Sequence, residues 1–201
     1  MEYLKGSQHE VITLASAVDL ILNKERLEKD YVVLTFDDGC ERFYDITFPI
    51  LSEFGFASTV YPVANHLGSH AVWGKVRNPG LKIMTQNMVT ELARFGVEIG
   101  AHTMDHYKLT HLSKQEARYQ VQASKERLEQ LVSKEIDSFA YPHGDYNAGI
   151  VGIVKEAGFR NALTCVSAVA NASASVYEIP RKYVTYYDDM TAFEKKTSRH
   201  A

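Results

Sequence analysis

Two short stretches carry residues whose types and spacing could do chemistry. Residues 33–43, VLTFDDGCERF, set Asp37 and Asp38 side by side after an apolar run, with Gly39 behind them. Adjacent carboxylates repel each other and are costly to bury unless something cationic holds them. Residues 100–106, GAHTMDH, place His102 and His106 four apart. If that segment is helical, both rings lie on one face and can reach one ion. Two imidazoles and one carboxylate are a common ligand set for catalytic zinc with an open position for water. The expectation is therefore His102, His106 and one of Asp37 or Asp38 around a divalent metal, a dication being what could hold the acidic pair. Either stretch alone is weak, since an Asp-Asp-Gly run is often only a turn and helix cap. Their joint presence carries the reading.

Positioning these residues calls for strands that end beside one another. Residues 32–36 read as a buried strand ending at the Asp pair, and VEIGA as a short strand before His102. ASTVYPV, SFAYP and RNALTCV are further strands, and EIPRKYVTY a last one. Between them lie helical patterns. TLASAVDLILNKERLEK puts Leu14, Val18, Ile21 and Leu22 on one face, and ERFYDITFPILSEFG closes at Gly55 despite Pro49. TQNMVTELARFG has Thr85 as its cap, and residues 113–132 open with the capping box Ser113/Glu116. NAGIVGIVKEAG stops at Gly158, and residues 69–83, which include Trp73, read as an irregular loop. Alternating strands and helices imply a parallel sheet covered by helices, open or closed into a barrel. Ligand sites then lie at the carboxyl ends of the strands. The Asp pair, HTMDH and YPHGDYN all fall there, on one shared rim.

Composition narrows the classes. The 201 residues suit a single domain spanning 1–201, and 45% hydrophobic with 23% charged residues is ordinary for a globular protein. A net charge of −3 gives no electrostatic case for a nucleic acid or an anionic membrane surface. No run approaches a membrane span, and MEYLKGSQHE has no apolar signal core. The chain as it stands reads as cytoplasmic, or as exported if it is a fragment of a longer precursor. Cys40 and Cys165 are expected as two lone thiols. Oligomeric state is not legible in the sequence.

TFDDG, HTMDH with its follow-on LTHLS, and FAYPHGDYN resemble, in order and spacing, the first three motifs of the polysaccharide deacetylase family, the NodB-homology domain of carbohydrate esterase family 4. IPRKYV resembles a branch related to exopolysaccharide deacetylases. The resemblance implies an α/β fold, an irregular (β/α) barrel of about seven parallel strands. It implies metal-dependent hydrolytic removal of acetyl groups from an N-acetylated poly- or oligosaccharide, with Zn2+ as the divalent ion or Co2+, Ni2+ or Fe2+ in its place. By position, Asp37 resembles the catalytic base, and Asp38, His102 and His106 the metal ligands, with Thr103 shaping their loop. Tyr141, Pro142, His143 and Gly144 match the motif that forms one wall of the substrate groove, where a backbone N–H helps hold the oxyanion.

Three departures qualify this expectation. Many members carry an arginine two residues before the motif proline, where it steadies the catalytic aspartate; here that residue is Ala140, and Arg181 is the expected substitute. The late histidine that serves as general acid is absent; His143 is the candidate, while His200 reads as part of a frayed tail. Related chains usually begin with a further strand, so a barrel lacking its first strand is one expectation. Two other readings stay open: a saccharide-binding homologue without catalysis, and a hydrolase of small amides or cyclic ureides.

Overall fold

The structure, a computed structural model, describes residues 1–24, 27, 29–73, 80–171 and 175–198. In chain order its regular elements are α1 (Glu2–Gly6), β1 (His9–Val11), α2 (Leu14–Leu22), β2 (Asp30–Val32), β3 (Thr35–Asp38), α3 (Phe48–Phe54) and β4 (Thr59–Pro62). They continue with α4 (Gln86–Arg94), β5 (Glu98–Ile99), α5 (Lys114–Val132), β6 (Ser138–Ala140), α6 (Ala148–Glu156), β7 (Asn161–Leu163) and α7 (Met190–Thr197). Helices begin where a side chain can take up an orphan N–H. Thr13, Thr85 and Asn147 cap α2, α4 and α6, and Ser113 with Glu116 forms the full capping box of α5. Pro49 falls in the first turn of α3, where no N–H is needed, and a π-helical turn, Phe43–Thr47, leads into it.

All the ladders are parallel, and strand neighbours follow chain order. β1 pairs with β2, β3 with β4, β4 with β5, and β6 with β7. A bridge from Ala101 to Phe139 links β5 to β6, and one from Leu163 to Ile179 adds a last rung. β2 and β3 are two stretches of one extended run, which pairs first with β1 and then with β4. The architecture is an irregular (β/α) barrel. No strand precedes β1 among the described residues, and none of the ladders among them joins Ile179 back to β1. The strand expected over EIPRKYVTY is reduced to that single bridge, with the Arg181 side chain donating to Thr164 O and its backbone N–H to Val166 O.

Side chains fill the interior. Tyr61 shares a hydrogen bond of 2.6 Å with Ser138, whose hydroxyl donates to Asn161 Oδ1 at 2.7 Å. α2 covers the amino-terminal end of the strands, where Leu14 and Val18 pack with Tyr61, Ala140, Leu163 and Ile179. The Glu98 carboxylate accepts the Leu14 and Ala15 N–H groups at the start of α2, and the Thr59 hydroxyl as well. Leu22, expected on the buried face of α2, is 51% exposed, because the helix ends there and its last turn overhangs the barrel. Helices α3, α4, α5 and α6 pack outside the strands over one contiguous apolar layer. No helix among the described residues is long and apolar enough to cross a membrane. His200 lies outside the described residues.

Gly100, two residues before His102, is required by packing, since a Cβ there would overlap the Tyr61 ring. Gly100→Ala should cost about 1–3 kcal/mol through overpacking, read as a lower urea midpoint at unchanged slope.

Candidate metal centre and catalytic site

β3 ends in a reversal that separates its two carboxylates. Asp38 and Gly39 are both left-handed, at φ 69° and 72°, and the Gly39 N–H turns back to Asp37 O at 2.9 Å. A Cβ on Gly39 would stand 2.8 Å from Pro62 Cα, so only glycine fits. Asp37 consequently meets Arg181, and Asp38 meets the two histidines.

The histidine segment is not helical, which corrects the expectation from the four-residue spacing. After Ala101 the chain passes through left-handed conformations at Thr103 (φ 67°) and His106 (φ 60°), and Thr103 Oγ1 accepts the His106 N–H at 2.9 Å. This folded-back loop brings the rings together at 4.8 Å between centroids, with His102 and His106 2% and 6% exposed. Six non-glycine residues have positive φ among those described, and four of them, Asp38, Thr103, His106 and His143, belong to this site. Backbone strain of this kind persists only where the surroundings over-determine it.

The donor set fits a divalent ion. His102 Nδ1 lies 2.7 Å from Ala140 O, which can only accept, so Nδ1 carries the proton and Nε2 presents its lone pair to Asp38. Asp38 Oδ1 stands 3.5 Å from His102 Nε2 and 3.2 Å from His106 Nε2. Direct N–H···O bonds would be nearer ~2.9 Å. Tetrahedral ligands placed ~2.1 Å from zinc are about 3.4 Å apart. Asp38, His102 and His106 each offer one ligand atom, all within 4.8 Å of one another. Burial pushes the His106 pKa down, with His102 and His143 adding to it and Asp38 opposing it.

Asp37 is held apart from this cluster. Arg181 Nη1 and Nη2 donate to its two oxygens at 2.8 Å each, while Nε donates to Thr164 O and Nη1 also to Thr35 Oγ1. Burial would raise the Asp37 pKa; the hydrogen bonds and charge of Arg181 overcome this and leave it below its ordinary value. Ala140, at the motif position where many members carry an arginine, is buried in a cluster with Leu163 and Ile179. An arginine there would compete with Arg181 for the same interior.

The YPHG turn is split by burial. Tyr141 is buried, with its hydroxyl donating to Tyr177 O, and Pro142 is buried too. His143 and Gly144 are the members of the turn that reach the surface. The His143 ring packs 4.4 Å from that of His106. A cleft of about 400 Å³ opens here, lined by Val72, Trp73, His106, Tyr107, His111 and His143 among others. Trp73 stacks on His106 at 4.7 Å and 28°. A smaller cleft of about 210 Å³ includes Thr59, Glu98, Ser138 and Asn161, at the opposite ends of the strands.

Several site neighbours escape sequence reasoning. Trp73 and the Arg181 acceptors Thr35 and Thr164 carry no local pattern. Both cysteines are free thiols. Cys165 packs against Gly144, where a Cβ would come 2.7 Å from its own, and burial pushes its thiol pKa up.

The sequence profile described as polysaccharide deacetylase matches residues 24–162, well over half of the chain. The chain belongs to the polysaccharide deacetylase family. Arg181 lies beyond the matched residues of this family member. A relative from Bacillus subtilis (strain 168), YxkH, is 22% identical over 92% of the chain and 62% of its own length. The poly-β-1,6-N-acetyl-D-glucosamine N-deacetylase of Staphylococcus epidermidis is 24% identical over 92% of the chain and 65% of its own length. The chain thus spans less than two thirds of these curated relatives. Among solved structures it is similar to the Streptococcus pyogenes deacetylase PplD in complex with acetate, with a TM-score of 0.84, 20% identity, and coverage of 98% of this chain and 83% of that one. IcaB from Ammonifex degensii aligns with a TM-score of 0.82 and 21% identity over 98% and 85% of the two chains. These likenesses establish the same fold as the deacetylase barrels.

Two expectations test the site. Protein purified without added metal should carry about one equivalent of a divalent ion by mass spectrometry, and His102→Ala should lose it. Arg181→Met should destabilise by about 1–3 kcal/mol at neutral pH, less than a fully buried pair because both partners keep some solvent contact. The Asp37 pKa is lowered by folding, so the pair's contribution is present above the unfolded carboxylate pKa of ~3.9 and fades as pH falls through the lower folded value. Urea midpoints of the two proteins should therefore converge below about pH 4.

Proposed function

We propose that this chain is a metal-dependent hydrolase that removes acetyl groups from an N-acetylated polysaccharide. The observation carrying this reading is the division of labour at the end of β3, with Asp38 facing two histidine Nε2 atoms and Asp37 held apart on a guanidinium. The named activity of the staphylococcal relative supports N-acetylglucosamine polymers as the substrate class.

Asp38, His102 and His106 would hold the ion, with Zn2+ first by donor type and Co2+, Ni2+ or Fe2+ as alternatives. Such an ion supplies Lewis-acid polarisation of the acetyl carbonyl and lowers the pKa of a bound water. Asp37 receives the water's proton, and Arg181 keeps it ionised and aimed. Tyr141 gives its N–H to Leu163 O and Pro142 has none, so the His143 N–H is the donor this turn offers to a developing oxyanion. Its ring, at the mouth of the cleft, would give a proton of its own to the leaving amine and regain one from solvent, as Asp37 releases the water's proton. Trp73 and Tyr107 offer aromatic surface to the sugar in the same cleft.

A second reading, a saccharide-binding member without turnover, draws support from one observation: no late histidine occupies a general-acid position among the described residues. Acetate release from N-acetylglucosamine oligomers, with and without chelator, separates the two. Asp37→Asn should lower turnover about 10²–10⁴-fold while keeping its metal. Sugar binding that persists in both proteins with no turnover in either would establish the second reading instead.

A further inference from the structure

Gln120 is a polar residue on the buried face of α5, in line with Ala117, Val121, Ser124 and Leu128, and only 5% exposed. A primary amide is costly in such a place unless it is bonded. Its bonds all go to one target. Oε1 accepts the Met104 and Asp105 N–H groups at 3.1 and 2.9 Å, and Nε2 donates to Asp105 Oδ2 at 2.7 Å. These peptides immediately precede His106, within the loop that carries left-handed Thr103 and His106.

The grip is doubled two helical turns further along α5. Arg127 Nη1 donates to Asn65 Oδ1 at 2.9 Å, and Asn65 Nδ2 donates to Asp105 Oδ1 at 2.8 Å. Both oxygens of Asp105 are thereby fixed, one through Gln120 and one through Asn65. The backbone of residues 64–65 adds two bonds, from Ala64 N–H to Thr103 O and from Asn65 N–H to Met104 O.

We propose that Gln120 is a positioning residue for the metal centre: its amide locks the Met104–Asp105 peptides so that His106 Nε2 stays beside Asp38. The inference rests on the metal reading above. A leucine or methionine would fill the same volume on α5, but it would leave two buried N–H groups without a partner and the strained loop free to relax. Outer partners that orient metal ligands typically change affinity 10–100-fold when removed.

The test is Zn2+ affinity by competition with a chelator, and the visible spectrum of the Co2+ form, for Gln120→Met and the unsubstituted protein. The metal-free variant is checked for folding by circular dichroism. A 10–100-fold weaker affinity with an altered Co2+ spectrum is expected. Affinity within twofold of the unsubstituted protein, in a folded variant, overturns the proposal and leaves the metal site standing. Should the methionine variant not fold, Gln120→Asn, one methylene too short to reach both N–H groups, carries the same expectation and the same overturning result. No uptake of Zn2+ or Co2+ by the unsubstituted protein overturns both the metal reading and this one.

Discussion

Two neighbouring carboxylates can share the end of a buried strand only if each has its own counter-charge. That constraint organises this molecule. Left-handed Asp38 and Gly39 turn the two side chains apart, so one meets a guanidinium from beyond β7 and the other joins a pair of imidazoles from the loop after β5 in a donor set that fits a divalent cation. Each counter-charge must arrive from a different strand, which explains why a barrel, with strand ends converging on one rim, is the scaffold. The dry polar chain of Tyr61, Ser138 and Asn161 and the plug of α2 then serve to keep the strands at fixed spacing below that rim.

Much of this was legible along the chain because it is local. The capping box of Ser113 and Glu116 and the cap at Thr85 are patterns within a few residues, and the structure has them where the sequence puts them, while the run into Asp37, expected as one buried strand over 32–36, is half-buried and divides into β2 and β3. The histidine loop is the instructive failure. A spacing of four residues suits one helix face, yet two left-handed residues in a short loop bring the rings equally close, and spacing alone does not distinguish the two. Arg181 could be suspected only from its surrounding phrase, since its partner Asp37 lies 144 residues away. Trp73, Cys165 and Gln120 owe their places entirely to contacts that are distant in sequence.

Burial sorts the YPHG turn in a way that residue identity does not. Tyr141 has the ring and hydroxyl of a sugar-facing residue, but the turn sends it inward to Tyr177, and left-handed His143 is the side chain left at the cleft. A motif match specifies which backbone path is taken; the register of that path with the core decides which side chains face solvent.

Ala140 illustrates what a motif position stands for. Its carbonyl orients His102, a task any residue could perform, while its missing side chain leaves room for a guanidinium supplied from elsewhere. What Asp37 requires is a charge at a point in space, whatever the address of its bearer in the chain. A substitution at position 181 would thus unpair a carboxylate far away in the chain while leaving the TFDDG stretch unaltered.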